Sequence, residues 1–444
     1  MMTDEKTGTL SDGTKIYFDE TGNPSLAPFE IGLPIVTKYH EKYYFKWAEL
    51  DVWITVERLT ENYESMATFR AHGTIIHACK VNWLATRTKA DIARTLAKFY
   101  PIAWDSLLTQ VTLELVKQLQ DCGSLENINQ EPQSMKLEYV VYPILPRGHP
   151  GTIFTKGGKC KSITADYFSV LLQFGVAAGN GLPFIPSGQQ NVLYCDWESD
   201  AETHRRYITA IKKGLGIDNN NEIAYRRIEN SIFNVADSIR SDIERKDIGL
   251  VIIDSQMAAT ATDRPGASDA QISAEYYNVL RSFNTTSLTI DHITKQSMTL
   301  ENGAEAPYGS VVKYNRSRSQ FELRSSDESD DSDYKELALV HRKFNLGRKQ
   351  KPIGIAINFN NDGDTLVDIT FRHCELEDSE GLSKVVPRKT RLINVLKRMG
   401  KATIQDLANE IGEPDNTKKI GVQLANDKKT FVKLSEGTYG LLAK

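Results

Sequence analysis

The sequence predicts an α/β fold in which a mainly parallel sheet is flanked by helices, and three observations predict it. Between residues 136 and 378, short apolar runs alternate with amphipathic segments of helix length, as the strands and crossovers of a parallel sheet do. Four of these runs, at 151–154, 191–195, 248–253 and 287–290, each end in a polar cluster, where open α/β sheets place their ligands. The first of the four runs directly into a glycine-rich loop, a Lys-Ser pair and a helical stretch.

Composition bounds the rest. At 444 residues, with 40% hydrophobic and 25% charged, the chain is ordinary globular protein and too long for one core, so two or three domains are expected. No apolar run approaches the roughly 18 residues of a membrane span, and no basic start precedes an apolar stretch as in a secretory signal. A soluble, cytoplasmic protein without a membrane partner is the expectation. The five cysteines, Cys79, Cys122, Cys160, Cys195 and Cys374, form no C-x-x-C pair, which argues for a reducing compartment and against a thiolate metal site. The net charge of −4 hides a basic tail and a short acidic run at 327–333, read as a hydrated surface loop.

Taken in order, residues 1–135 read as an α+β accessory domain. After a polar, glycine-containing and mobile lead-in, strand patterns occupy 43–47, 52–56 and 75–78. From Thr88 the period changes, with Ile92, Leu96, Tyr100, Leu107, Leu108, Val111 and Leu115 spaced for helices that bury one face. Aromatic residues in those strands could stack bases, but at strand spacing they more commonly fill a core. The polar, proline-bearing stretch 130–134 marks a boundary.

The α/β domain, 136–378, opens with the strand 151–154 and the loop Thr155, Lys156, Gly157, Gly158, Lys159, Cys160, Lys161, Ser162, followed by a helix over 163–176. A phosphate needs backbone N–H groups at a helix N-terminus, a lysine to reach its β and γ oxygens and a hydroxyl for Mg²⁺. Lys161 and Ser162 fill the last two roles. Thr155 and Cys160 stand where the G-x-x-x-x-G-K-[ST] pattern has glycine, and a side chain at Cys160 is expected to crowd an approaching phosphate.

Three later strand ends fit the same site. The strand 191–195 ends in Asp196-Trp197-Glu198, which makes Glu198 a candidate to polarise an attacking water. The run 248–253 ends at Asp254, placed to hold Mg²⁺, and Ser255 follows it where a glutamate would otherwise supply the base. The fourth strand ends at Asp291-His292-Ile293-Thr294-Lys295, a cluster placed to sense the γ-phosphate. Any one polar strand end can be a solvated turn, but four in order with the phosphate loop first point to one site for ATP and Mg²⁺.

These residues resemble the RecA-like ATPases of the RepA type, the hexameric replicative helicases of plasmids with their phage and mobile-element relatives, over about residues 138–372. The resemblance implies a RecA-like P-loop core, with Glu198 as the catalytic glutamate, Asp254 as the Walker B aspartate and His292 and Lys295 as the H-x-x-K sensor. It further implies that the segment 308–318 carries an arginine finger for a neighbouring subunit, Arg318 first and Arg316 second, and that the chain forms a homo-oligomer, a hexameric ring, with single-stranded DNA at its core. A strand pair near 341–356 is similar to the lysine hairpin such helicases use in trans.

Residues 384–444 hold thirteen Lys or Arg against six Asp or Glu, the one strongly basic region. Helical patterns at 391–399, 403–411 and 418–427 and a hairpin at 431–442 look like a winged helix-turn-helix. In that arrangement Lys418, Lys419, Gln423 and Asn426 face a major groove and Lys428, Lys429 and Lys433 approach phosphates of duplex DNA. The leading function is an ATP-hydrolysing motor on DNA; the competing one is a nucleotide-switched initiator or regulator with slow or absent hydrolysis.

Overall fold

The computed structural model describes residues 7–9, 15–18, 24–26, 32–39, 42–60, 62–120, 128, 134–261, 267–293, 311–326, 333–377, 379, 381–434 and 437–442. The chain divides into two compact units, Met1–Pro132 and Gln133–Lys444. Lys295 and most of the acidic run 327–333 lie outside the described residues.

In the first unit, β1 (Ile35–Tyr39), β2 (Lys42–Trp47), β3 (Val52–Glu57), β4 (Glu64–Ala71) and β5 (Thr74–Asn82) form an antiparallel meander in chain order. Its helices are α1 (Thr86–Ala97) and α2 (Trp104–Gln120). Strand alternation turns Tyr43, Phe45, Trp47, Val52, Ile54 and Val56 inward, where they meet Leu96, Trp104, Leu107, Leu108 and Val111. Most of the aromatic residues in β2 therefore fill a core. Where a mobile lead-in is expected from the sequence, three short strands, Thr7–Thr9, Lys15–Phe18 and Pro24–Leu26, pair antiparallel.

The second unit is built on a nine-stranded sheet. Its elements are β6 (Pro150–Thr155), α3 (Lys161–Phe174), β7 (Asn191–Asp196), α4 (Ala201–Gly214), β8 (Ala224–Arg227), α5 (Ile232–Lys246), β9 (Ile248–Asp254), α6 (Asp269–Ser282), β10 (Thr286–His292), α7 (Val311–Arg316), β11 (Ser319–Ser325), β12 (Tyr334–Phe344), β13 (Ile353–Asp362) and β14 (Thr365–His373). The spatial order is β8-β7-β9-β10-β6-β11-β12-β13-β14. Six strands, β8 to β11 in that order, are parallel, and the last three continue as an antiparallel meander.

Period-2 alternation explains why this sheet is covered on both faces. In β7 and β9, Val192, Tyr194, Leu250 and Ile252 join α3 and α4 in one apolar cluster, while Leu193, Cys195, Val251 and Ile253 join α5 and α6 in another. The first connection leaves β6 near the middle of the sheet and reaches β7 beyond two intervening strands, and β11 continues on the other side. This opens a crevice at the carboxyl ends of β6, β7, β9 and β10.

At the C-terminal end lie α8 (Arg388–Met399), β15 (Lys401–Thr403), α9 (Ile404–Glu410), α10 (Thr417–Asn426), β16 (Phe431–Lys433) and β17 (Thr438–Leu441). They enclose their own apolar cluster, including Leu392, Leu396, Leu407, Ile420, Leu424 and Phe431. The three strands form a sheet in the order β15-β17-β16, so the hairpin has a third strand that the sequence pattern does not announce. The stretch leading to this region is folded onto the core sheet, where Leu376 and Leu382 pack with Ala338 and Val340 of β12. No helix among the described residues is long and apolar enough to cross a membrane.

Candidate nucleotide site

Thr155 is the buried last residue of β6, and the loop from Lys156 to Cys160 carries the chain to the first residue of α3, Lys161. A Cβ added at Gly157 or Gly158 meets nothing within 4 Å, so the loop stands clear of its surroundings. No side chain caps α3, which leaves its first-turn N–H groups without a side-chain acceptor at the positive end of the helix.

Cys160 is the N-cap, in the left-handed region at φ 57° and ψ 25°. The backbone therefore needs the conformation that glycine adopts without strain, a second reason for glycine at this position. The Cys160 side chain packs against the main apolar cluster of the sheet.

The polar groups that follow converge. Lys161 Nζ donates to the Lys156 carbonyl at 3.0 Å and lies 3.4 Å from His292 Nδ1. Burial pulls its pKa down, against the carboxylates of Asp254, Glu198 and Asp291. Ser162 Oγ donates to Asp254 Oδ2 at 2.6 Å, and the Tyr194 hydroxyl donates to the same oxygen at 2.8 Å. Burial pushes the Asp254 carboxyl up, and these two donors oppose the shift.

Glu198 is exposed, one turn of chain beyond β7. Ser255 Oγ donates to its Oε1, and His292 Nε2 lies 3.4 Å from the same atom. The hydrogen bond from His292 lowers its pKa first, and Ser255 adds to the effect. The serine after Asp254 thus holds Glu198, which follows a different strand.

Behind Glu198, Asp196 accepts the backbone N–H groups of Glu198 at 2.8 Å and Ser199 at 2.9 Å, and the Tyr225 hydroxyl at 2.7 Å. On β10, the buried Asp291 Oδ2 accepts a hydrogen bond from Lys313 Nζ at 2.9 Å, and Asp291 Oδ1 accepts the His292 N–H at 2.9 Å. Sequence reasoning missed the supporting residues Tyr194, Ser255 and Lys313. A charged residue in a run otherwise buried, such as Asp166 in α3, was the available signal for this second layer.

Lys161, Ser162, Glu198, Asp254 and His292 are brought together; Arg316 and Arg318 are not. The Arg318 N–H donates at 3.1 Å to the carbonyl of Pro150, the first residue of β6, whereas the phosphate loop leaves the last. Five strand steps of about 3.3 Å separate those ends by about 17 Å, beyond the reach of an arginine side chain. Arg316 Nη1 donates to Asn278 Oδ1 of α6 at 3.0 Å. In the strand pair compared with a trans-acting hairpin, Lys343 is turned inward and donates to the Asn315 and Ser317 carbonyls at 3.0 Å each.

The sequence pattern of the AAA domain matches residues 118–298, a segment that includes the phosphate loop, Glu198, Asp254 and His292. Among solved structures, the chain is similar to a KaiC-like protein from the hyperthermophilic archaeon Pyrococcus horikoshii, at 11% identity over 52% of this chain and 93% of that one, TM-score 0.36. It is also similar to the flagellar accessory protein FlaH from Methanocaldococcus jannaschii, at 11% identity over 51% and 91%, TM-score 0.33. No curated protein matches the chain. The AAA-domain match and the groups gathered at the strand ends support a RecA-like P-loop ATPase core.

Proposed function

We propose that this protein is an ATP-hydrolysing RecA-like motor that acts on DNA, of the kind used as a replicative helicase by plasmids, phages or other mobile elements. The observation that carries this reading is the convergence of Lys161, Ser162, Glu198, Asp254 and His292 from four strand ends onto the N-terminus of α3.

The residues fit both ligands. Ser162 and Asp254 offer two oxygen donors 2.6 Å apart, a hard donor set suited to Mg²⁺, which when bound neutralises charge on the phosphate oxygens. The N–H groups of the loop and of α3 cradle the phosphates, and Lys161 exchanges the Lys156 carbonyl for phosphate oxygens. Glu198 accepts the proton of the water that attacks the γ-phosphorus, as the bond to the ADP oxygen breaks. His292, between Lys161 and Glu198, senses whether the γ-phosphate is present.

Arg318, with Arg316 beside it, completes the site of a neighbouring copy in a ring. The support is their place at the far end of β6, which excludes action on their own chain's phosphate loop. In the tail, α8, α9, α10 and the β16–β17 hairpin are read as a winged helix-turn-helix. Lys418, Lys419, Asn426, Lys428, Lys429 and Lys433 are exposed, as duplex contact requires, and Gln423 is half-buried.

The test is ATP hydrolysis with and without single-stranded DNA, run beside a sizing column. Turnover stimulated by DNA in an assembled species is expected; bound nucleotide with no stimulated turnover would favour the initiator or regulator instead.

A further inference from the structure

We propose that His204 is a positioning residue: wedged between Asp166 and Asp196, it fixes the carboxylate on which the backbone of Glu198 hangs, and so sets where Glu198 stands relative to α3. This rests on the reading of Glu198 as the residue that handles the attacking water.

His204 is buried on α4. Its Nδ1 lies 2.9 Å from Asp166 Oδ1 on α3, and its Nε2 faces Asp196 Oδ2 at 3.5 Å, an ion-pair distance without hydrogen-bond alignment. The rings of Tyr194 and Tyr225 lie 4.4 and 5.6 Å from the imidazole. Asp166 follows Ser162 by four residues and so shares its face of α3. Asp196 anchors Glu198 and Ser199, while the intervening Trp197 N–H donates to the Asp254 carbonyl at 2.7 Å. The segment 197–199 is thereby suspended from the ends of β7 and β9, and His204 ties that suspension to the phosphate-binding helix.

The chemistry requires a cation at this position. Two buried carboxylates side by side repel, and without a cation between them one would take up a proton. Burial alone would lower the His204 pKa, but Asp166 and Asp196 together raise it to about 10. Asp196, despite its own burial, is held at about 2 by His204, Ser199, Tyr225 and the Glu198 N–H. The titratable groups facing the imidazole are Asp166 from α3, Tyr194 and Asp196 from β7 and Tyr225 from β8, with Asp254 of β9 behind them. Because its pKa rises on folding from 6.5, the stabilisation from the imidazolium is lost as pH rises through about 10, and burial raises the Asp166 carboxyl to about 6, so the Asp166 arm is lost again as pH falls through that value.

The test uses the full chain with ¹⁵N-labelled histidine and 5-fluorotryptophan, Trp197 being the only tryptophan in the second unit. In the wild-type protein His204 should give an imidazolium signal at pH 8. His204→Gln should bind a non-hydrolysable ATP analogue as the wild type does, shift the Trp197 fluorine resonance, and lower kcat by about 10²-fold. Asp166→Asn, which removes only the α3 arm, should move the resonance the same way and serves if the first variant fails to fold. A neutral imidazole at pH 8, or an unmoved Trp197 resonance with unchanged kcat in a folded variant, would overturn the proposal. If the wild type hydrolyses no ATP, the motor reading fails, while the nitrogen and fluorine signals still decide whether His204 holds this segment.

Discussion

Cys160 departs from the usual phosphate loop in two ways that oppose each other. Its left-handed backbone costs a non-glycine residue about 1–2 kcal/mol, and its side chain gains packing against the main cluster of the sheet. Since the side chain packs against the apolar cluster of the sheet, Cys160→Gly should change affinity for an ATP analogue by no more than about threefold, under 1 kcal/mol. A gain of tenfold or more by titration calorimetry would mean that the thiol obstructs phosphate after all. Lys161→Ala, in contrast, should abolish or severely weaken analogue binding, because the β and γ phosphates lose the side-chain cation proposed to reach them. Glu198→Gln should keep the nucleotide and stop turnover, since the amide retains the shape and cannot take the proton. Wild-type hydrolysis in that variant would move the base elsewhere. Residues such as Lys161 and Asp254 could be read from the sequence because loop chemistry and strand ends mark them. Asp166 stands out only as a charge in an apolar helix, and its pairing with His204 was not legible, because nothing in either helical segment says that the two meet across α3 and α4.

Elements that bury both faces announce themselves, as the apolar runs of β6, β7, β9 and β10 do. β8, Ala224–Arg227, is mostly polar, and β12 to β14 carry mixed patterns that do not reveal whether a strand runs parallel or antiparallel. A close approach that the sequence does not advertise occurs where α4 meets β14: a Cβ at Gly214 would lie 2.0 Å from the Ile369 carbonyl oxygen. Gly214→Ala must push the helix off the strand and should cost about 1–3 kcal/mol, measurable as a lower denaturant midpoint. At the opposite rim from the phosphate loop, Arg318→Ala should bind ATP nearly normally and lose turnover by about three orders of magnitude or more, as a finger acting on a transition state would. Mixing it with Glu198→Gln protein should restore part of the activity, because some interfaces then pair an intact glutamate with an intact arginine. Co-assembled mixtures that stay inactive would make Arg318 a structural residue.

Across the whole molecule, the two compact units divide near residue 132, where a polar, proline-bearing stretch interrupts two different periodicities of the sequence. The strand Lys401–Thr403 was not legible, since three residues give no period. Removing residues 384–444 should weaken duplex binding and flatten its dependence on salt, since several phosphate contacts leave together. An unchanged salt slope would sink the duplex-reading role. The two ends of β6 carry a further implication. A protomer with its phosphate loop at one end of a strand and its arginines at the other presents two different surfaces, so the neighbouring-copy role proposed for Arg318 in a ring is a head-to-tail contact. In that proposed arrangement any linear stack would leave one terminal loop unserved and one terminal arginine idle. Closure alone removes both deficits, so specific activity per protomer should climb more steeply than first order with concentration and level off once rings predominate.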